Sequence, residues 1–129
     1  MKNLEDLEKK INSELTTKIK KTEIKHNQIY LETDKEDLVD VCLFLKTNKD
    51  TKFRQLIDIT VVDYPERNQR FDLVYLFLSH EFNQRLILKY SISENELIPS
   101  LTGIFPSSNW MEREVFDMYG VSFKDHPDL

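Results

Sequence analysis

Residues 53–92 read FRQLIDITVVDYPERNQRFDLVYLFLSHEFNQRLILKYSI, and this stretch decides the fold. It contains three segments rich in Val, Ile, Leu, Phe and Tyr, in which side chains alternate with the period of two that is typical of β-strands. These segments are residues 53–62, 70–78 and 84–92. Polar residues 63–68, which include Asp63-Tyr64-Pro65, and residues 80–83 have good turn chemistry. The stretch therefore predicts three strands joined by two hairpins.

The strand at residues 70–78 is predicted to be apolar on both faces. One face carries Phe71, Leu73, Tyr75 and Phe77, and the other carries Asp72, Val74, Leu76 and Leu78. A strand of this kind is central in its sheet, or its second face meets another surface. In the strand at residues 53–62, we predict Phe53, Ile57, Ile59 and Val61 on one face, with Asp58 and Thr60 on the other.

Two helices and one strand are predicted before this stretch. The first helix runs from Asn3 to about Lys20, with Asn3 and Asp6 as a possible cap; it covers the core or, less commonly, docks a partner. Residues 23–32 predict one strand, in which His26-Asn27 forms a bulge or a turn. Thr33 begins the second helix through a capping box with Glu36. The apolar stripes are Leu4, Leu7, Ile11 and Leu15 on the first helix, and Leu38, Val41, Cys42 and Leu45 on the second.

The chain ends in residues 109–129, NWMEREVFDMYGVSFKDHPDL, after an irregular segment at residues 93–108. Asn109 and Glu112 have the spacing of a capping box, and Gly120 lies where a helix ends in a left-handed residue. We therefore predict a short helix between them. Its apolar stripe is Met111, Val115, Met118 and Tyr119, widened by Trp110 and Phe116. Its charged residues are Glu112, Arg113, Glu114 and Asp117.

This order of elements predicts a single α+β domain over residues 1–129. We expect a two-layer sandwich, in which a four-stranded, mainly antiparallel sheet carries the two N-terminal helices on one face, together with the short C-terminal helix. The net charge of −5 argues against nucleic acid as a partner. The sequence contains no apolar run of about 18 residues, and its start is too polar for a signal peptide. The single cysteine, Cys42, excludes an internal disulfide and suits a reducing compartment.

Catalytic and metal sites are the less favoured interpretations of the charged residues. Glu112, Glu114 and Asp117 are candidate acid–base groups, but the adjacent Arg113 favours an ion-pair network, either within the chain or at an interface. A metal site would use His126, Asp128, Asp125 and Asp117, a spacing that matches no standard pattern. The sequence has no glycine-rich phosphate loop. We therefore expect no catalytic residue, bound cofactor or metal in this chain, and a binding or scaffold role.

Residues 110–129 resemble a known family through the pattern W-x-E-R-E-x-F-D-M-[FY]-G-[IV]-x-F-x-x-H-P-D-L. The pattern is similar to that of the NuoC-type subunit of the proton-pumping NADH-quinone oxidoreductase, respiratory complex I. Residues 53–79 also resemble the central hairpin of that family. The resemblance implies a subunit-interface motif made of Trp110, Glu112, Arg113, Glu114, Phe116, Asp117, Tyr119, Gly120, Phe123, His126, Pro127 and Asp128. Family members continue past this motif with two arginines and an extended tail, whereas this sequence ends at Leu129.

The resemblance also implies a function. A subunit of this family lies in the peripheral arm, on the cytoplasmic side of the bacterial inner membrane or the matrix side of the mitochondrial one. It packs against the hydrogenase-like D subunit, beside the quinone pocket, and against neighbouring iron–sulfur subunits. FMN, the iron–sulfur clusters and quinone are bound by other subunits, and contact with the membrane is indirect.

Two alternatives remain open. The first is the equivalent subunit of a membrane-bound hydrogenase or formate hydrogenlyase, which shares the fold and much of the motif. The second is a free-standing α+β domain that binds a small molecule, which predicts a closed pocket and a stable monomer. Under the favoured interpretation, we expect Glu112, Arg113 and Glu114 to hold the motif helix against residues 93–108 and against a partner subunit through charge-assisted hydrogen bonds.

Overall fold

The structure is a computed structural model that describes residues 3–127. It confirms the α+β fold. The helices are α1 (Leu4–Glu14), α2 (Leu38–Thr47) and α3 (Ser108–Tyr119), and a 3₁₀ turn (Lys35–Asp37) precedes α2. The strands are β1 (Lys21–Lys25), β2 (Gln28–Glu32), β3 (Gln55–Asp63), β4 (Phe71–Ser79), β5 (Gln84–Ile92), β6 (Leu97–Pro99) and β7 (Ser122–Lys124).

The main sheet has five strands in the order β1-β2-β5-β4-β3, not the four that we predicted. Its pairings are antiparallel except for that between β2 and β5, which is parallel. The extra strand arises because residues 23–32 form a hairpin instead of one strand. His26 and Asn27 both have positive φ, 53° and 58°, which is the backbone of a tight hairpin turn.

All three helices pack on one face of this sheet. Leu7 of α1, Val41 of α2 and Val115 of α3 belong to one buried cluster with the sheet residues Tyr75 and Leu88. Aromatic contacts extend the same layer on the α3 side. These contacts join the rings of Phe77 and Phe105, 5.4 Å apart, and those of Phe71 and Tyr119, 6.3 Å apart. The opposite face of the sheet is not covered by any element within residues 3–127.

Several predicted boundaries are corrected. Asn3 does cap α1, since its Oδ1 accepts a hydrogen bond from the Asp6 nitrogen at 2.8 Å, but the helix ends at Glu14 and not near Lys20. Thr33 does not cap α2, because its hydroxyl donates instead to the Lys18 carbonyl at 2.6 Å. A bulge in β3 at Ile57 shifts the alternation, so that Leu56 and not Ile57 joins Ile59 in the core.

The irregular segment contains one strand that we did not predict. Leu97–Pro99 forms β6, which pairs in parallel with β7 as a separate two-stranded sheet. This pairing joins the chain before α3 to the chain after it. The motif helix is therefore held at both ends.

Candidate functional site

The motif helix α3 runs from Ser108 to Tyr119, and Gly120 caps its C-terminal end. The predicted capping box is wrong, because Asn109 lies inside the helix and Ser107, which precedes it, makes no side-chain capping bond. The predicted end is confirmed: Gly120 has a φ of 71°, and its N–H donates to the Phe116 carbonyl at 2.9 Å. A left-handed backbone of this kind favours glycine.

Glu112 is the buried anchor of α3, with no exposed surface. One carboxylate oxygen, Oε1, accepts a hydrogen bond from the Ser100 hydroxyl at 2.6 Å. The other, Oε2, accepts from the Leu101 backbone nitrogen at 2.8 Å and from the Ser108 hydroxyl at 2.5 Å. Three donors compensate the burial of the charge, and they tie α3 to the segment that follows β6. The expected attachment of the helix to residues 93–108 is thus present for Glu112.

His126 attaches the chain after β7 to the start of α3. Its Nε2 lies 3.0 Å from the Asn109 carbonyl oxygen and 3.8 Å from Oε1 of Glu112, and the side chains of His126 and Glu112 are both buried. The ring of Phe123, a buried residue of β7, lies 6.4 Å from the imidazole. The two ends of the motif therefore converge on Glu112.

The outward face of α3 carries large side chains in solvent. Trp110 is 63% exposed, Met118 is 70% exposed and Phe116 is 38% exposed. The predicted apolar stripe is therefore correct for Val115, which is buried, and wrong for Met118. The guanidinium carbon of Arg113 lies 5.7 Å from the centre of the Trp110 ring, over which it stacks.

An ion-pair network of the charged motif residues does not form within the described part of the chain, whereas pairing across an interface with a partner stays a prediction. Arg113, Glu114 and Asp117 are exposed, and no ion pair within 4.0 Å involves any of them in residues 3–127. Because Glu112 is buried on the other side of the helix, the structure does not bring the three acidic candidates together. Arg113 and Glu114 also do not bond to residues 93–108, which corrects that part of our hypothesis.

The other motif residues take different positions. Tyr119 is half-buried against Phe71, while Pro127 is exposed; Asp128 and Leu129 lie outside the described residues. Sequence reasoning missed the three donors to Glu112, which are Ser100, Leu101 and Ser108. Ser108 precedes Glu112 by four residues, one helical turn, which is the only local signal for this cluster.

The described part of the chain shows two further features that bear on chemistry. Within residues 3–127, no group of three or more His, Cys, Asp or Glu side chains is placed to hold a metal ion. Cys42 is buried in the core, and burial raises the pKa of its thiol well above the usual range. A thiol of this kind is a small apolar core residue and not a nucleophile.

None of the helices in the described part of the chain combines the length and apolar character that a membrane span requires.

Comparison with known proteins identifies the relatives of this chain. A family model described as the 30 kDa subunit of respiratory-chain NADH dehydrogenase matches residues 31–129. The C subunit of NADH-quinone oxidoreductase from Dinoroseobacter shibae is 49% identical over 108 residues, which cover 84% of this chain and 50% of the relative. The same subunit from Rhodospirillum rubrum is 40% identical over 129 residues, which cover 100% of this chain and 61% of the relative. The chain thus spans little more than half the length of these relatives.

Solved structures agree with this relationship. The trypsin-resistant fragment (1–134) of Nqo5 superimposes with a TM-score of 0.80 at 25% identity, and the match covers 100% of both chains. A chain of the membrane-bound sulfane sulfur reductase, an archaeal respiratory membrane complex, has a TM-score of 0.85 at 22% identity. That match covers 97% of this chain and 72% of the other, and it shows a shared fold alone. Together with the sequence relatives, these findings confirm the resemblance: the chain belongs to the family of the 30 kDa subunit of respiratory-chain NADH dehydrogenase, which includes the C subunit of NADH-quinone oxidoreductase.

Proposed function

We propose that this chain is a non-catalytic subunit in the peripheral arm of a proton-translocating NADH:quinone oxidoreductase. Other subunits carry electrons from NADH through FMN and iron–sulfur centres to quinone. This chain packs against the hydrogenase-like D subunit at the quinone site and against neighbouring iron–sulfur subunits, on the cytoplasmic or matrix side of the membrane. The names of its relatives, which are subunits of NADH-quinone oxidoreductase, support this proposal.

The proposed docking role rests on the side chains that α3 exposes to solvent. Trp110, Phe116 and Met118 expose apolar surface there, and Arg113 stacks over Trp110. Tryptophan and arginine are the residues that most often dominate the energy of protein–protein interfaces. Because Trp110 is 63% exposed in the domain, it has apolar surface available for burial against a partner.

Contacts on the buried side of α3 hold its outward face in a fixed position. Glu112 fixes α3 to the segment after β6, and His126 fixes the chain after β7 to the first turn of α3. A surface that is already ordered loses less conformational entropy on association. We therefore assign a positioning role to Glu112 and His126, and the contact itself to Trp110, Arg113 and their neighbours.

The test is a pull-down from solubilised native membranes with the tagged full-length gene product. The wild type should recover a flavin- and iron–sulfur-containing complex with NADH:quinone activity. Trp110→Ala and Arg113→Ala should reduce the recovered complex by about tenfold or more, since interface hot spots contribute about 2 kcal/mol or more. Leu43→Ala is the matched control, because Leu43 is an exposed apolar residue on α2, away from the motif.

The possible results discriminate between the alternatives. Recovery of a nickel-containing hydrogenase would replace the proposed parent complex with the hydrogenase interpretation. A protein recovered without partners would favour the free-standing binding domain. Full recovery by both α3 variants would show that α3 is not the docking face.

A further inference from the structure

The loop between β3 and β4, residues 63–70, exposes an aromatic side chain beside an arginine. We call this loop the hairpin tip. Tyr64 is 40% exposed, and the guanidinium carbon of Arg67 lies 4.1 Å from the centre of its ring. Trp110 and Arg113 on α3 form a contact of the same kind at 5.7 Å. The domain thus has two exposed aromatic rings that each stack with an arginine, the residue types that dominate the energy of many interfaces.

Hydrogen bonds hold the hairpin tip in one conformation. The Tyr64 backbone nitrogen donates to the Arg70 carbonyl at 2.7 Å, and the Arg67 backbone nitrogen donates to the Tyr64 carbonyl at 3.0 Å. The guanidinium of Arg70 donates to both carboxylate oxygens of Asp63, at 2.7 Å and 2.8 Å. The guanidinium of Arg67 is fixed by its bond to Asp72. A loop held in this way loses little conformational entropy when it binds a partner.

The two stacked side chains keep polar groups available for a partner. Within residues 3–127, neither the Tyr64 hydroxyl nor Nη1 of Arg67 forms a hydrogen bond. The ring of Tyr64 also has exposed apolar area beyond the part that Arg67 covers. The hairpin tip therefore suits a protein surface that offers apolar contact and a hydrogen-bond acceptor.

A cavity connects the base of the hairpin tip with the end of α3. Its volume is about 290 Å³, and its lining includes Asp63 and Arg70 from the hairpin and Met118 and Tyr119 from α3. Met118 is one of the exposed side chains on the outward face of α3. The hairpin tip and this face of α3 are therefore neighbouring parts of one surface.

The outward face of α3 is too small to be a stable interface by itself. The helix has 12 residues, so it is about 18 Å long and about 10 Å wide. A standard interface covers about 800 Å² on each partner, which corresponds to a patch about 28 Å across. Since α3 fills less than half of such a patch, a subunit that covers it extends onto neighbouring elements. The hairpin tip is a neighbour that exposes an aromatic side chain.

The charges around this surface indicate the chemistry of the partner. The carboxylates are those of Asp63, Glu66, Asp72, Glu94, Glu96, Glu114 and Asp117. The cationic groups are those of Lys35, Arg67, Arg70 and Arg113. Carboxylates are thus in excess, in agreement with the net charge of −5 for the whole chain. A partner surface with basic residues around an apolar centre is complementary to this arrangement.

We propose that the subunit that covers the outward face of α3 also covers the hairpin tip. Tyr64 and Arg67 pack against an apolar part of its surface that supplies an acceptor for the Tyr64 hydroxyl, and basic side chains of the same subunit border this contact. The inference rests on the proposed function, because it takes the contact at α3 as given. It adds a second anchor, on a different element, to the same interface.

Site-specific photo-crosslinking in native membranes tests the proposal. The tagged full-length protein carries a photoreactive amino acid in place of Tyr64 or, in a separate sample, of Trp110, and mass spectrometry identifies the crosslinked peptides. We expect both positions to crosslink to one and the same subunit. The peptide captured from position 64 should contain apolar residues together with Lys or Arg.

His80 provides the matched control position. It is exposed at the other end of β4, a strand of nine residues, and is therefore about 30 Å from the hairpin tip. A photoreactive residue in place of His80 should not crosslink to the subunit that positions 64 and 110 capture. An equal yield from position 80 would overturn the proposal, because the crosslinks would then not report a specific contact.

Substitutions at Tyr64 measure how much the hairpin tip contributes. Tyr64→Ala should lower the recovery of the assembled complex by about tenfold or more, as expected for an interface hot spot. Tyr64→Phe keeps the ring over Arg67 and should lower recovery by about fivefold or less, since it loses one hydrogen bond. The urea midpoints of both variants should stay close to that of the wild type, because Tyr64 is an exposed residue. Recovery of the Tyr64→Ala variant at the level of the wild type would overturn the proposal.

The crosslinking results separate this inference from the proposed function. A crosslink from position 110 without one from position 64 overturns the inference alone, and so do crosslinks to two different subunits. The absence of a crosslink from position 110 counts against the proposed function. It overturns the inference as well, because one subunit then does not cover both parts of the surface.

Discussion

The Oε2 atom of Glu112 lies 2.8 Å from the backbone nitrogen of Leu101, a residue that precedes the helix carrying Glu112. This bond, together with those from Ser100 and Ser108, makes the carboxylate the link between α3 and the preceding segment. Glu112→Ala should lower the free energy of unfolding by about 3 kcal/mol, since it leaves buried donors without an acceptor. Urea denaturation of the purified domain measures this loss.

Two further substitutions of acidic residues on α3 serve as comparisons for Glu112→Ala. Glu112→Gln keeps the shape and one acceptor oxygen, so about half of the loss should be recovered. Glu114→Ala removes an exposed carboxylate and should change stability by no more than about 0.5 kcal/mol. Equal stability of the Glu112→Ala and Glu114→Ala variants would show that the buried bonds contribute nothing.

Gly120 ends α3 in a left-handed conformation, with a φ of 71°. A Cβ atom at this position would meet nothing within 4 Å, so the cost of Gly120→Ala is conformational and not steric crowding. We expect a loss of about 1 kcal/mol in the free energy of unfolding, measured in urea. Gly120→Asn should lose less, because asparagine tolerates this region better.

Gly103 provides the matched control for this prediction. It also has open space around an added Cβ, but its φ lies outside the left-handed range. Gly103→Ala should therefore be neutral, or stabilise by a few tenths of a kcal/mol through the unfolded state. If both alanine variants lost the same stability, the left-handed backbone would not be the cause.

The sequence predicted those features that depend on local patterns. The period of two in residues 84–92 predicted β5 with the bounds that the structure shows, and the position of Gly120 predicted the end of α3. The period of two reflects the burial of every second side chain, and the glycine reflects the backbone conformation of one residue. Neither depends on contacts between residues that are distant in the sequence. The choice of an α+β fold rested on the same local information.

The features that sequence reasoning missed depend on backbone geometry or on distant partners. Nothing in the composition of His26-Asn27 distinguishes a bulge from the tight turn that splits the predicted strand. The bulge at Ile57 changes the register without changing the apolar pattern. Glu112 has the spacing of a capping residue, yet it accepts a bond from a backbone nitrogen eleven positions earlier, because the loop folds back over α3.

The hydrogen bonds of Asp72 predict that the domain loses stability in acid. It is a buried residue of β4 whose Oδ1 accepts hydrogen bonds from Arg67 Nη2 and from the Ser91 hydroxyl. Burial by itself raises the pKa of this carboxyl, but the bonds from Arg67 and Ser91 outweigh it and hold the pKa below its usual value. The stabilisation is therefore present above the ordinary aspartate pKa of about 3.9 and is lost as the pH falls through the lower, folded-state pKa.

Asp72→Asn should accordingly be less stable than the wild type near pH 7, and the difference should shrink as the pH falls below about 4. Urea midpoints measured from about pH 7 to about pH 2.5 give this difference directly, because all other acidic groups are shared. Ser91→Ala, which removes one donor, should produce a smaller effect in the same direction. A difference between wild type and Asp72→Asn that stays constant with pH would contradict the assignment.

Tyr75 and Tyr90 place a hydrogen-bonded pair of hydroxyls inside the core. Their oxygens are 2.8 Å apart and neither residue has exposed surface, so burial raises the pKa of both hydroxyls and they remain neutral. Tyr75→Phe or Tyr90→Phe should each lower the free energy of unfolding by about 1–2 kcal/mol, because the remaining hydroxyl is then buried without its partner. The double variant removes both polar groups and should lose little more than either single variant. A double-mutant cycle in urea should thus give a coupling energy of about 1 kcal/mol, whereas additive losses would mean that the two hydroxyls stabilise the core independently.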